Sequence, residues 1–294
     1  MQLYRPEGPV VSPPSSDALR RGAGTGEIFQ AMCVKCDEFH NLHLDLGSVQ
    51  GIIPREEAAL GIAEGTAKEI AIMSRVGKTV SFQVLAFDSR GTAILSRRTA
   101  QAEARKYYLT TLKPGDIIPA IVQNPADFGV FCDIGCGFPA LMRIDRCCIS
   151  RLRSTEELYQ TGQMIHAAVL TVDPAAGQIL MTGRELLGTW AENADLFRQG
   201  QTVTGIVRSI MPYGCFVELT PNLSGLAETE LDVQIGDTVS VYIRSILPEK
   251  HKIKLTILEK LQNMNNTPAL RFFLTQGRIQ QWEYYPGSKA ATIF

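Results

Sequence analysis

Two stretches, Lys113–Asp145 (KPGDIIPAIVQNPADFGVFCDIGCGFPALMRID) and Arg198–Glu230 (RQGQTVTGIVRSIMPYGCFVELTPNLSGLAETE), match in register at a constant offset of 85 residues. Gly115 meets Gly200, Ile121-Val122 meets Ile206-Val207, and Phe128-Gly129 meets Tyr213-Gly214. Phe131 then meets Phe216, and Asp133-Ile134 meets Glu218-Leu219. The register resumes further on at an offset of 74, where Gly162 meets Gly236, Ile165 meets Val239, Val169 meets Ile243 and Ile179 meets Ile253. Matches in order on both sides of one length change mark a structural repeat, with a shorter middle connection in the last copy.

A more diverged copy precedes these two. Gly77-Lys78-Thr79-Val80, Phe82, Val84 and Phe87-Asp88 align with Gly162 to Asp173, and Leu44-Asp45-Leu46-Gly47 aligns with Cys132-Asp133-Ile134-Gly135. Three units follow, over 26–99, 113–184 and 199–258. Within each unit, runs such as 117–122, 130–134, 166–172 and 178–182 are rich in β-formers. Turn residues such as Asp173-Pro174 separate them. About five short strands per 70 residues predict an all-β chain of closed Greek-key barrels. The linkers 98–112 and 185–199 are rich in helix formers and predict short helical spacers. Residues 1–25, with Pro13-Pro14-Ser15-Ser16, read as a disordered tail. The C-terminal extension, 263–294, reads either as a hairpin turning at Gly277 or as a partner-binding peptide.

With 294 residues, 45% hydrophobic and 20% charged, the chain has the composition of a globular protein. Its apolar runs are too short to span a bilayer. The start, Met1-Gln2-Leu3-Tyr4-Arg5-Pro6, lacks a basic region followed by an apolar stretch, so no leader is expected. Seven cysteines in such a chain read as reduced thiols of a soluble cytoplasmic protein. The net charge of −1 gives no general attraction for phosphate, and the last two units hold more Asp and Glu than Lys and Arg. Any nucleic-acid affinity then has to come from local cations and stacking rings.

The repeated aromatic pairs are the leading candidates. Phe128 and Phe131, like Tyr213 and Phe216, are three apart, so a regular strand would point them to opposite faces. Alone, such rings are more often core. The intervening Gly129 and Gly214 permit a bend that brings both rings to one surface, where bases can stack. Candidate cations are Arg143, Arg146, Arg151 and Arg153 in the middle unit, and Arg208, Arg244, Lys250, Lys252 and Lys254 in the last. Lys252 and Lys254 alternate and so share a face. Solvated surface is the competing reading for each.

Cys33-x-x-Cys36 with His40 and His43 invites zinc, but the compressed spacing falls across a strand and turn, and no metal is assigned. Cys147-Cys148 read as buried thiols. The sequence has no Gly-rich phosphate loop followed by Lys-Ser/Thr and no Gly-x-Ser-x-Gly elbow. Neither catalysis, a cofactor nor a small-molecule substrate is expected.

The string from Gly200 to Val207, followed by Tyr213-Gly214-Cys215-Phe216-Val217-Glu218-Leu219, Gly225-Leu226, Gly236-Asp237-Thr238-Val239 and Lys252-Ile253-Lys254-Leu255, resembles the "S-one" RNA-binding domain. That family takes its name from the largest protein of the bacterial small ribosomal subunit. The middle unit follows the pattern through Gly115-Asp116, Phe128 to Ile134 and Gly162-Gln163. The first unit resembles a leading unit through Gly51-Ile52-Ile53-Pro54-Arg55-Glu56-Glu57 and Leu95-Ser96-Arg97-Arg98. The resemblance covers about 26–260, and the whole chain looks like the short S-one-like proteins of low-GC Gram-positive bacteria.

The resemblance implies three tandem five-stranded OB-fold barrels that bind single-stranded RNA without catalysis. The implied setting is mRNA binding in translation, with the small ribosomal subunit as a partner. A protein-docking module on the ribosome or an RNA-processing complex is the alternative. It places the family's surface aromatics at Phe128 and Phe131 and at Tyr213 and Phe216. Its histidine position holds Arg143 in the middle unit and Glu228 in the last. Its basic position holds Gln178 and Lys252. In the first unit His40 and His43 stand at the aromatic positions, implying a weak binder or a docking module.

Overall fold

In the computed structural model, which describes residues 4–9, 12–228, 232–261 and 270–294, period-two burial organises most of the strands. The first barrel contains β1 (Ile28–Cys36), β2 (Leu42–Leu46), β3 (Val49–Ile53), β4 (Thr79–Phe87) and β5 (Ala93–Ser96). The middle one contains β6 (Ile117–Ala126), β7 (Gly129–Asp133), β8 (Pro139–Arg143), β9 (Met164–Asp173) and β10 (Gln178–Thr182). The last contains β11 (Thr202–Met211), β12 (Gly214–Thr220), β13 (Leu223–Glu228), β14 (Thr238–Leu247) and β15 (Lys252–Lys260). All three are closed with one strand order, first-second-third-fifth-fourth, and closure removes the unpaired edges that short strands would otherwise expose. The third and fifth strands pair in parallel in every copy.

A bulge in the first strand makes closure possible. It falls between Cys33 and Lys35 in β1 and between Val207 and Ser209 in β11. The bent strand pairs through its first half with the fourth strand and through its second half with the second. Inward positions fill the centre: Ala31, Leu42, Val80, Phe82 and Leu95 in the first barrel, and Val207, Val217, Val239, Val241 and Leu255 in the last.

The chain divides into two compact units. Unit 1 is Met1–Leu112 with Cys132–Ala140 and Asp173–Gln178, and unit 2 is Lys113–Phe131, Leu141–Val172 and Ile179–Phe294.

In unit 1, the N-terminal region departs from the expected disordered tail. Ser16–Gly22 form helix α1, capped by Ser15, whose hydroxyl accepts from the Ala18 N–H. Its Leu19 is fully buried in the first barrel's core. One buried leucine in a short polar segment is too faint a signal beside the surrounding Pro, Ser and Gly. Residues 1–3, 10 and 11 lie outside the described residues. The four-residue helix α2 (Ile70–Met73) precedes β4. The first predicted spacer is helix α3 (Arg97–Thr111), which buries Ala100, Ala104 and Tyr108 at four-residue spacing and is capped by Ser96.

In unit 2, the second spacer folds as a 3-10 turn at Arg184–Leu187 and helix α4 (Trp190–Ala194), started by a Thr189–Glu192 capping box. The C-terminal extension does form a hairpin, but not around Gly277. Strands β16 (Gln281–Glu283) and β17 (Ala291–Ile293) pair through a turn spanning 284–290, and Trp282 and Tyr284 are buried. Residues 263–269 of the extension lie outside the described residues. The Gly277 carbonyl instead accepts from the Ile117 N–H, and the Ile279 N–H donates to the Gly115 carbonyl. Gly115 sits at φ +86, and a Cβ there would stand 1.9 Å from the Ile279 carbonyl oxygen. Gly115→Ala is therefore expected to cost unit 2 about 1–3 kcal/mol. Urea denaturation followed by Trp282 and Trp190 fluorescence measures this, and an unchanged midpoint would contradict it.

Candidate nucleic-acid interface

The last barrel brings the Phe216 ring and two lysines to one outer face. Along β12, Cys215 and Val217 point into the core, which turns Phe216 outward. Phe216 pairs with Leu226 on β13, and Leu226 pairs with Lys254 on β15. At about 4.8 Å per strand, the ring and the lysine stem stand roughly 10 Å apart in one row. Lys252 and Lys254 are exposed while Ile253 and Leu255 are buried, so both ammonium groups rise from the same face. Tyr213, at the β11–β12 turn, is 64% exposed. The chain can pass there because residue 214 is glycine: at φ +136 its missing Cβ would stand 2.5 Å from the Ala227 carbonyl oxygen.

The middle barrel repeats the device. Phe128 is 58% exposed, and its ring centroid lies 6.0 Å from that of Phe131 at an interplanar angle of 78°. The three-residue spacing thus does deliver both rings to one surface. Gly129 allows it by close approach, since a Cβ there would stand 2.7 Å from the Met142 carbonyl oxygen. The row beyond is apolar: Leu141 pairs with Leu180, where the last barrel has Leu226 and Lys254. Cationic character comes from Arg143, exposed at the end of β8, whose Nε donates to Asp145 at 3.0 Å. Arg146 is half-buried and reaches back toward the C-terminal hairpin, where its Nη1 lies 3.5 Å from Thr292 Oγ1.

Arg208 is not on this surface, contrary to the sequence expectation. The β11 bulge leaves Val207 and Arg208 buried in succession, which breaks the outward alternation. Its Nε and Nη2 donate to Glu218 at 2.8 and 3.1 Å, and its Nη1 to Glu157. That guanidinium is a buried structural cation. Arg153 likewise donates to Glu157, at 3.1 Å.

In the first barrel the two histidines are engaged by acids. His40, in the left-handed region at φ 62, places Nδ1 3.3 Å from Glu69, and His43 Nε2 lies 3.1 Å from Asp37. Desolvation alone would raise the Asp37 pKa. Hydrogen bonds from Asn41, His43 and the Phe39 N–H outweigh it and hold the carboxyl at about 2. The exposed ring there is Phe39, one position before His40. It escaped the sequence alignment because the family position falls on His40. Cys33 faces the core, and burial pushes its thiol up to about 11. Among the described residues no three His, Cys, Asp or Glu side chains converge to hold a metal ion. Nor is any described helix long and apolar enough to cross a membrane.

No family model matches the chain. Among curated proteins, it is 31% identical over 198 residues to the small ribosomal subunit protein bS1 of Neisseria meningitidis serogroup B, covering 61% of this chain and 35% of that protein. It is 28% identical over 251 residues to the bS1 homolog of Bacillus subtilis, covering 83% of this chain and 63% of that protein. The Bacillus cereus homolog is 26% identical over 260 residues, covering 83% and 66%. The chain thus spans about a third to two thirds of the length of these relatives. A solved structure of a multidomain protein with nucleic acid binding domains from Streptococcus pneumoniae aligns over 81% of this chain and 75% of that one, at 16% identity. Its TM-score of 0.27 is too low to carry weight. The resemblance read from the repeated motifs is borne out by the curated relatives.

Proposed function

We propose, from the premise that this chain is a relative of the small ribosomal subunit protein bS1, that its middle and last barrels hold single-stranded RNA without catalysing a reaction on it. The observation that carries the reading is the ring pair repeated at equivalent places, an exposed ring in the turn (Phe128, Tyr213) and a half-buried one on the strand that follows (Phe131, Phe216), beside surface cations. Rings accept any base by stacking, while Lys252, Lys254 and Arg143 follow the phosphates. The pattern favours sequence-tolerant capture, as an mRNA binder in translation requires. The relatives' names support the small ribosomal subunit as the setting, and a ribosomal setting fits the cytoplasm as the compartment.

The cysteines support the non-catalytic part. Burial pushes the Cys136 and Cys147 thiols up to about 12 and raises Cys148 and Cys215 as well, so these groups stay protonated and poorly nucleophilic near neutrality.

The chain has little net charge, so each barrel should bind modestly, and linkage of two sites supplies the avidity. Fluorescence anisotropy of the full chain with a labelled 12-mer of uridines is the direct test. Binding should weaken as salt rises, with a slope of about −0.7 per neutralised phosphate. Lys252→Gln with Lys254→Gln is expected to flatten the log–log slope by about 1.4. A slope unchanged by the double substitution would place the RNA elsewhere.

A further inference from the structure

Glu228 occupies the position of the family's surface histidine, at the end of β13, and is exposed. Its Oε2 accepts from Arg244 Nη1 at 3.1 Å. Arg244 belongs to β14, and β15 lies between β14 and β13. The guanidinium therefore crosses the outer face of β15. The register fixes where: Arg244 falls at the bulge between Ile243, opposite Leu255, and Ser245, opposite Lys254. Glu228 pairs with Thr256, two residues beyond Lys254 on the same face. Arg244 thus lies beside the row Phe216–Leu226–Lys254, but bound to an acid.

We infer that Glu228 sets the RNA affinity of the last barrel by holding Arg244 in competition with phosphate. This rests on the RNA-binding reading of the same face. An exposed ion pair is weak, and phosphate can compete for a guanidinium only after displacing the carboxylate or accepting its repulsion. Either way the last barrel binds less tightly than its cations would allow. The middle barrel is built differently at the same place. Arg143 stands where the last barrel has Glu228, and Leu170 stands where it has Arg244. Among the described residues the cation there pairs with its neighbour Asp145. The middle barrel is accordingly the anchor, and the last barrel the hand that lets go first.

The test compares the full chain with Glu228→Gln, Arg244→Gln and the double variant, by anisotropy with the uridine 12-mer at several salt concentrations. Both residues are exposed, so folding should be unaffected, and matching thermal melts verify it. Glu228→Gln is expected to tighten binding about 3- to 10-fold and to steepen the salt slope by about 0.7, one phosphate contact. Arg244→Gln alone should change affinity less than about 2-fold, since the removed cation was already occupied. In the double variant the gain should vanish. An unchanged or weakened Glu228→Gln, with the parent chain binding RNA, overturns the inference and leaves RNA binding standing. Retention of the gain in the double variant also overturns it, because the effect would then be bulk charge rather than Arg244. A parent chain that binds no RNA at all overturns the functional reading, and this inference with it.

Discussion

Glu7→Ala is expected to destabilise unit 1 by about 3–5 kcal/mol, the cost of leaving a buried cation without its partner. The cation is Arg97, 4% exposed, and the Glu7 side chain is 2% exposed. Two of its guanidinium nitrogens, Nε and Nη2, donate to the Glu7 carboxylate at 2.8 Å. Arg97 opens helix α3, the end at which the backbone dipole repels positive charge, so nothing in the helix itself compensates it. Glu7 also accepts from Ser81 N–H at 3.0 Å, which ties the N-terminal segment to β4. Its own N–H donates to Asp133 at 2.6 Å, and Asp133 receives the Gly135 and Gly137 N–H groups as well. Calorimetric unfolding, with amide exchange at Ser81 and Gly135 as the local readout, measures the loss. A decrease below about 1 kcal/mol would show that the segment is ornamental.

The same cluster carries a pH dependence of known sign. Burial, with the Glu7 charge beside it, raises the Asp133 carboxyl to about 7 against hydrogen bonds that lower it. An acid whose folded pKa exceeds its unfolded value holds its proton more tightly when folded. Its contribution is complete below about 4 and fades as pH rises through about 7.

Much of this architecture was legible because barrels repeat. Gly115, Gly129 and their partners 85 residues on mark equivalent turns, and the alternation of Lys252 to Leu255 reads directly as one solvated and one buried face. The Phe128–Phe131 pair was legible too, since the glycine between the rings was read as permitting a bend; that it acts by close strand approach to Met142 was not. What escaped reading depended on partners far along the chain. Glu7 meets Arg97 across ninety positions, and no local pattern distinguishes it from a solvated acid. Arg208 looked like a surface cation because period two predicts outward residues, and a single bulge moved it inward against Glu218. Gly277 looked like a hairpin turn because glycine between apolar runs usually is one. Its carbonyl was instead claimed by Ile117, which displaced the turn to 284–290.

The largest effect on function is expected from removing the middle barrel's rings. Phe128→Ala with Phe131→Ala should weaken binding of single-stranded RNA by at least about 30-fold, since each stacked base is worth roughly 1–3 kcal/mol and two rings are lost. The rings contact each other edge to face, so some of their mutual packing goes with them. That loss is a stability term, and it should be small because Phe128 stands mostly in solvent. Neither substitution touches Gly129, whose close approach to Met142 sets the strand path, so the barrel should close as before. A uridine 12-mer in an anisotropy titration reads the affinity, and a thermal melt confirms the fold. Tyr213→Ala with Phe216→Ala is the companion experiment, and its loss should be the smaller, because the acid at Glu228 already limits how tightly that barrel holds phosphate. Equal losses would mean that the two barrels share the strand evenly. A folded Phe128→Ala, Phe131→Ala variant that binds as tightly as the parent would remove stacking from the mechanism and leave only the cations to explain any affinity.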